Sequence, residues 1–129
     1  MVAYLLAESV VVLADIVEER IDESVAKLRA EGLDVTGVQT DVTKLESVEA
    51  LAQATLDAYG AVHLLCNNAG IGPGGGLALW DYEPADWRWC LDVNVMGVAW
   101  GIKAFVPLMM ILTSIPFYLL AIILIYSFA

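Results

Sequence analysis

Apolar positions along this chain switch between two rhythms. Ser9 to Asp15, Ser-Val-Val-Val-Leu-Ala-Asp, is a β-branched run closed by a carboxylate and predicts a strand. From Val17 to Glu31 the rhythm becomes helical, with Ile21, Val25 and Leu28 on one side and Gly32 as a stop. Val35 to Thr40 predicts a second, weaker strand with Gly37 inside it, running into Asp41-Val42. Thr43-Lys44-Leu45-Glu46 fits a capping box, in which Thr43 bonds the Glu46 amide and Glu46 reaches back. Leu45, Val48, Ala52, Leu56 and Tyr59 form the stripe of the helix it starts, and Gly60 ends it. His63-Leu64-Leu65-Cys66 is apolar without alternation, as in strands covered on both faces, and stops at Asn67-Asn68-Ala69-Gly70. Pro84 opens a helix from Ala85 to about Phe105, with Trp87, Leu91, Asn94 or Val95, Val98 and Ile102 along one side. Strands and helices in short alternation imply right-handed βαβ crossovers, a parallel sheet and an α/β fold.

Charge changes the picture at the C-terminus. Every charged residue falls at or before Lys103, and Ala104 to Ala129 is uncharged over about the length that spans a bilayer. The division expected is 1–109 as the α/β domain and 110–129 as a hydrophobic, helical tail that reads as a transmembrane segment. A truncated or aberrantly terminated product is the preferred explanation of the tail, ahead of a membrane anchor and a buried soluble segment. The net charge of −10, with no basic cluster, argues against a nucleic-acid surface. The N-terminus lacks a basic region before its apolar stretch, so secretion is not supported. A cytoplasmic chain is expected, with membrane association through the tail as the alternative.

Candidate metal chemistry is thin. Cys66 and Cys90 show no CxxC spacing, and His63 is the one histidine, so no metal site is proposed. Gly70, Gly72 and Gly75 satisfy GxGxxG, but Pro73 and two further glycines follow where a helix should open. Asp92, the acid at the right distance, lies within a helical pattern, and the match is rejected in favour of a flexible loop.

Four marks in order resemble the short-chain dehydrogenase/reductase family over roughly Val10 to Met109. Asn67-Asn68-Ala69-Gly70 matches its NNAG motif after the fourth strand, and Asp41-Val42 the pair after the third. Asp15 matches the acid after the second strand, and Asp92-Val93-Asn94 the helix segment carrying the tetrad asparagine. The resemblance implies a partial Rossmann-like doubly wound sheet, βαβαβα, and NAD(P)-dependent oxidoreductase ancestry. It implies that Asp15 accepts bonds from the adenosine ribose and favours NAD over NADP. Asp41 and Val42 would flank the adenine, while Asn67, Ala69 and Gly70 would line the cofactor and Asn68 would brace neighbouring backbone. Asn94 would be the one catalytic residue kept, holding a proton-relay water.

Departures from the family pattern are large. Asp15 has only fourteen residues before it, too few for the glycine fingerprint, and Met1 to Glu8 resembles at best a remnant of the helix after that loop. The family's first strand lies between its second and fourth, so unpaired backbone is expected there. Tyr4, Tyr59, Tyr82 and Tyr118 are followed four positions on by Glu8, His63, Asp86 and Ile122, so none forms the YxxxK pair that moves the proton. Thr113-Ser114 lacks the strand pattern around a catalytic serine. The resulting expectation is a catalytically inactive fragment that keeps the adenosine side of the cofactor site. The alternative is a non-catalytic, membrane-anchored or partner-binding module, with a full-length relative as one candidate partner.

Overall fold

The computed structural model describes residues 10–72, 74–111 and 121–124. Met1 to Glu8, Thr113-Ser114 and the rest of the tail apart from 110–111 and 121–124 lie outside the described residues.

The β-branched run forms β1 (Val10–Asp15), buried from Val11 onward. Val11 and Leu13 pack with Val35 towards one face, while Val12 and Ala14 pack towards the other, so the strand is covered twice. Helix α1 (Glu18–Ala30) follows, with Glu18 and Glu19 in its first turn and Lys27 and Arg29 in its last, each complementing the helix dipole. Arg29 then ties the helix to β2 (Asp34–Gln39), donating to the Val35 carbonyl from Nε at 3.0 Å and Nη2 at 2.6 Å. Gly37, which weakens the strand pattern, has a packing cause. A Cβ there would collide with Ile21 of α1 and come within 3.2 Å of Val25, so the helix can close on the strand only over a glycine.

Helix α2 (Leu45–Tyr59) starts near the predicted place without the predicted capping box. Thr43 turns its N–H (3.0 Å) and Oγ1 (2.7 Å) back to Asp41 Oδ1, and Ser47 Oγ accepts the Asp41 N–H at 3.0 Å. The difference has a physical reason: the Asp41 carboxylate two residues upstream takes the Thr43 N–H that the Glu46 carboxylate would have accepted, and the Thr43 hydroxyl donates to that same oxygen, as aspartate turns readily allow. Val48, Leu51, Ala52 and Thr55 form the buried face of α2. Its end is pinned to β2 by Tyr59 Oη, which meets Thr36 Oγ1 at 2.8 Å and donates to Asp34 Oδ1 at 3.2 Å.

After β3 (Leu64–Cys66) and a short 3-10 turn at Leu79–Asp81, the chain enters α3 (Pro84–Leu91). Asp86 accepts the Glu83 N–H at 3.0 Å, so the reciprocal cap expected at Thr43 appears here instead. A wide π turn, Asp92–Met96, joins α3 to α4 (Gly97–Ile111), making one helical run where a plain helix is predicted. The run 84–110 is long and apolar enough to cross a bilayer by length and composition. Cys90, Val93, Gly97, Gly101 and Phe105 are buried along it, and α4 packs against α2 and β3.

A fourth strand, β4 (Ala121–Leu124), lies in the tail, where a helix is expected. The sheet order is β2-β1-β4-β3, and all pairs are parallel. Val11 to Ala14 pair with Ala121 to Leu124 on one side, and Leu64 to Cys66 pair with Ala121 to Ile123 on the other. The expected unpaired backbone between β1 and β3 is therefore not found, because these four tail residues fill the gap. Helix α1 covers one face, while α2 and α4 cover the other, giving a doubly wound α/β sheet.

Candidate functional site

At the carboxyl ends of β1 and β2 the chain leaves a cavity of about 200 Å³, where ligands settle in open parallel sheets. Ala14 and Asp15 end β1, Thr40 to Thr43 form the turn after β2, and Ala69 to Ile71 follow β3. Trp89 and Val93, four apart across the end of α3 and the start of the π turn, close the remaining side. The wall is mostly apolar, with carboxylates at Asp15 and Asp41.

Asp15 is the most informative group. It is only 5% exposed, and its Oδ1 accepts the Val17 N–H at 2.8 Å, which starts α1. Its Oδ2 is also buried and has no hydrogen-bond partner among the described residues. A buried carboxylate oxygen left without a donor is costly unless a ligand supplies one. Thr40 fixes the neighbouring rim by donating its N–H to the Asp15 carbonyl at 2.8 Å, and Gln39 Nε2 bonds the Ile16 carbonyl at 3.0 Å.

Asp41 is held differently. Burial pushes its carboxyl up, but the Thr43 hydroxyl and amide and the Lys44 ammonium at 2.9 Å outweigh that and keep it below the ordinary carboxylate value. Its oxygens are committed to the turn, which leaves Asp15 as the carboxylate with a spare acceptor.

Five of the six residues expected to line a cofactor, Asp15, Asp41, Val42, Ala69 and Gly70, stand in the cavity wall. Asn67 does not. Its amide packs on the backbone of Gly101 in α4, and its buried Oδ1 has no donor among the described residues. Asn94 lies outside the wall but acts on it: Oδ1 accepts the Ile71 N–H and Nδ2 donates to the Ile71 carbonyl, both at 2.8 Å. This two-point clamp holds the loop after β3 that carries Ala69 and Gly70. Trp89, Val93, Thr40 and Ile71 were missed by sequence reasoning. The four-residue spacing of Trp89 and Val93 was the available signal, but helical spacing does not say what the face meets. Among the described residues, no tyrosine, lysine, histidine or cysteine lines the cavity, whose polar side chains are Asp15, Thr40, Asp41 and Thr43 beside the Trp89 indole.

A parallel sheet wound on both faces, with an acceptor carboxylate in the crevice beyond its strands, defines a Rossmann-type chain. Comparison with known proteins carries this to the family. A model described as short chain dehydrogenase matches residues 1–114, and the chain belongs to the short-chain dehydrogenase/reductase family. "Dehydrogenase/reductase SDR family member 4" of Oryctolagus cuniculus is 38% identical over 97 residues, 75% of this chain and 37% of that protein. The "CLA biosynthesis dehydrogenase/reductase" of Lactiplantibacillus plantarum is 31% identical over 97 residues, covering 75% of this chain and 33% of that one. Among solved structures, a short-chain dehydrogenase/reductase from Burkholderia phymatum in complex with NAD aligns with a TM-score of 0.71 at 52% identity. That alignment covers 76% of this chain and 34% of the other. A metagenomic short-chain oxidoreductase in complex with NADP aligns at 0.70 and 28% identity over 78% of this chain and 45% of that one. The chain thus spans about a third of the length of the curated relatives quoted.

Proposed function

We propose that this chain binds the adenosine half of a nicotinamide dinucleotide, prefers NAD to NADP, and carries out no hydride transfer with its own residues. The observation behind this reading is the unpartnered, buried Asp15 Oδ2 in the cavity wall. A ribose hydroxyl donates to such an oxygen, whereas a 2′-phosphate places negative charge against it. Ala69 and Val42 offer apolar surface for a flat base, and Trp89 lines the same cavity. When bound, the dinucleotide supplies the hydride chemistry. The protein's part is to seat the adenosine and, through Asn94, to hold the loop beside it. Tyr4, Tyr59, Tyr82 and Tyr118 have no lysine four positions on, which supports this reading of the chain's own residues, since the family's proton transfer needs that tyrosine and lysine together.

Calorimetric titration with NAD, NADP and ADP-ribose tests the proposal. NAD and ADP-ribose should bind with similar dissociation constants, on the order of millimolar, and NADP about tenfold more weakly. Asp15→Ala should erase the difference between NAD and NADP. Equal affinity for the two in the unaltered chain refutes the preference. Cofactor-dependent turnover of any alcohol or ketone that disappears in Asn94→Ala refutes the inactivity.

A further inference from the structure

The feature with most left to explain is the strand between β1 and β3. Its pairing is regular on both sides, with Ile123 opposite both Leu13 and Cys66. Its connection is not. From β1 through α1 to β2 the chain moves towards one edge of the sheet with its helix on one face. From β2 through α2 to β3 it moves towards the other edge with its helix on the opposite face. Reversing both direction and face preserves the hand, so these crossovers share it, as doubly wound sheets require. From β3 through α4 to β4 the chain moves back from the β3 edge, yet α4 lies on the same face as α2. Only the direction has reversed, so this third crossover has the opposite hand. Crossovers between parallel strands are right-handed in about 98% of cases, because a twisted strand feeds its helix back onto the sheet only that way. The slot is well made for a parallel strand, and the chain's own route into it is disfavoured.

We propose that the slot between β1 and β3 is filled by Ala121–Leu124 of a second copy of this chain, the two copies exchanging their β4 strands reciprocally. Exchange keeps every strand pair of β4 with β1 and β3 while removing the left-handed connection, since α4 and the β4 it feeds then belong to different sheets. Nine residues, 112–120, separate α4 from β4, and nine residues can extend to about 30 Å, enough to pass between neighbouring sheets. The occupant is argued by register: residues 121–124, Ala-Ile-Ile-Leu, match both edges of the slot, and any second copy carries the same segment. Exchange of an identical element is a low-cost route to a dimer, because the interface reuses contacts already encoded.

Ile123→Cys in the otherwise unchanged full chain tests this, because Ile123 is the registered partner of Cys66, a free thiol. After mild oxidation, a non-reducing gel should show a band of twice the chain mass that disappears with reductant and when Cys66→Ser is added. A link closed within one chain, no link at all, or a dimer band that survives Cys66→Ser each overturns the proposal. Light scattering on the unaltered chain gives an independent reading that does not depend on the introduced thiol. A dimer that separates only as the protein unfolds is expected, and a folded monomer overturns the exchange.

Discussion

Gly101→Ala is the sharpest probe of how this chain holds its NNAG stretch. A Cβ at Gly101 would collide with Asn67 Oδ1, lie 3.0 Å from Asn67 Cγ and 3.3 Å from Nδ2. The amide cannot easily swing away, because Oδ1 is already buried where α4 crosses the start of the loop. Overpacking a filled site costs up to about 3 kcal/mol, while alanine recovers about 1 kcal/mol of helix propensity over glycine, leaving a net loss of about 2 kcal/mol. For a chain of this size that lowers the melting temperature by roughly 8 °C. Asn67→Ala should be close to neutral, because it removes a buried acceptor that has no donor among the described residues. Combined with Gly101→Ala it should restore stability, since the added methyl then enters the space the amide leaves. Urea denaturation of the four proteins in this cycle measures the coupling, expected to exceed about 1 kcal/mol with a stabilising sign. If Gly101→Ala costs the same with and without Asn67, within about 0.5 kcal/mol, the collision is not what makes that position glycine. The same set separates two roles for Asn67. Because its amide faces α4 and not the cavity, Asn67→Ala should leave the affinity for ADP-ribose within about twofold, and a larger loss would return Asn67 to the binding wall.

Two further outcomes follow from the site's hydrogen bonds. Asn94→Ala removes both bonds to Ile71, worth about 1 kcal/mol together at an exposed position, while alanine regains about half of that as helix propensity. Global stability should therefore hardly move, but amide exchange at Ile71 should quicken about fivefold, and unchanged protection there refutes the clamp. Asp41, whose carboxyl is held below its ordinary value of 3.8, contributes stability that is complete above that value and lost as pH falls through the lower, folded value. Asp41→Asn should accordingly flatten the acid limb of stability below pH 3.8, read as urea midpoints against pH, and parallel limbs in the two proteins would count against the turn.

What could be read in the sequence follows from how local each determinant is. The strand at Val10–Asp15 and the helix at Glu18–Ala30 carry their causes within a few residues, and both stand close to where hydrophobic spacing puts them. The cap at Thr43 fails for want of a rule ranking two nearby acceptors, since Asp41 and Glu46 lie on either side and the structure takes Asp41. Asn67 and Asn94 show a harder limit. They are the same amide in equally plausible places, yet one packs on Gly101 and the other grips Ile71, and no local rhythm names a partner more than twenty residues away. The tail is the extreme case. Ala-Ile-Ile-Leu has the same hydropathy in lipid as between two strands, so its own composition cannot distinguish them. What distinguishes them is a pair of facing strand edges, at Val11–Ala14 and Leu64–Cys66, with backbone groups to satisfy. An uncharged run is therefore evidence for a membrane span only after the sheet it could complete has been considered. Here β4 stands between the strand that ends at Asp15 and the strand that leads into the NNAG stretch, so the two strands that border the candidate crevice also supply the edges that Ala121–Leu124 pairs with.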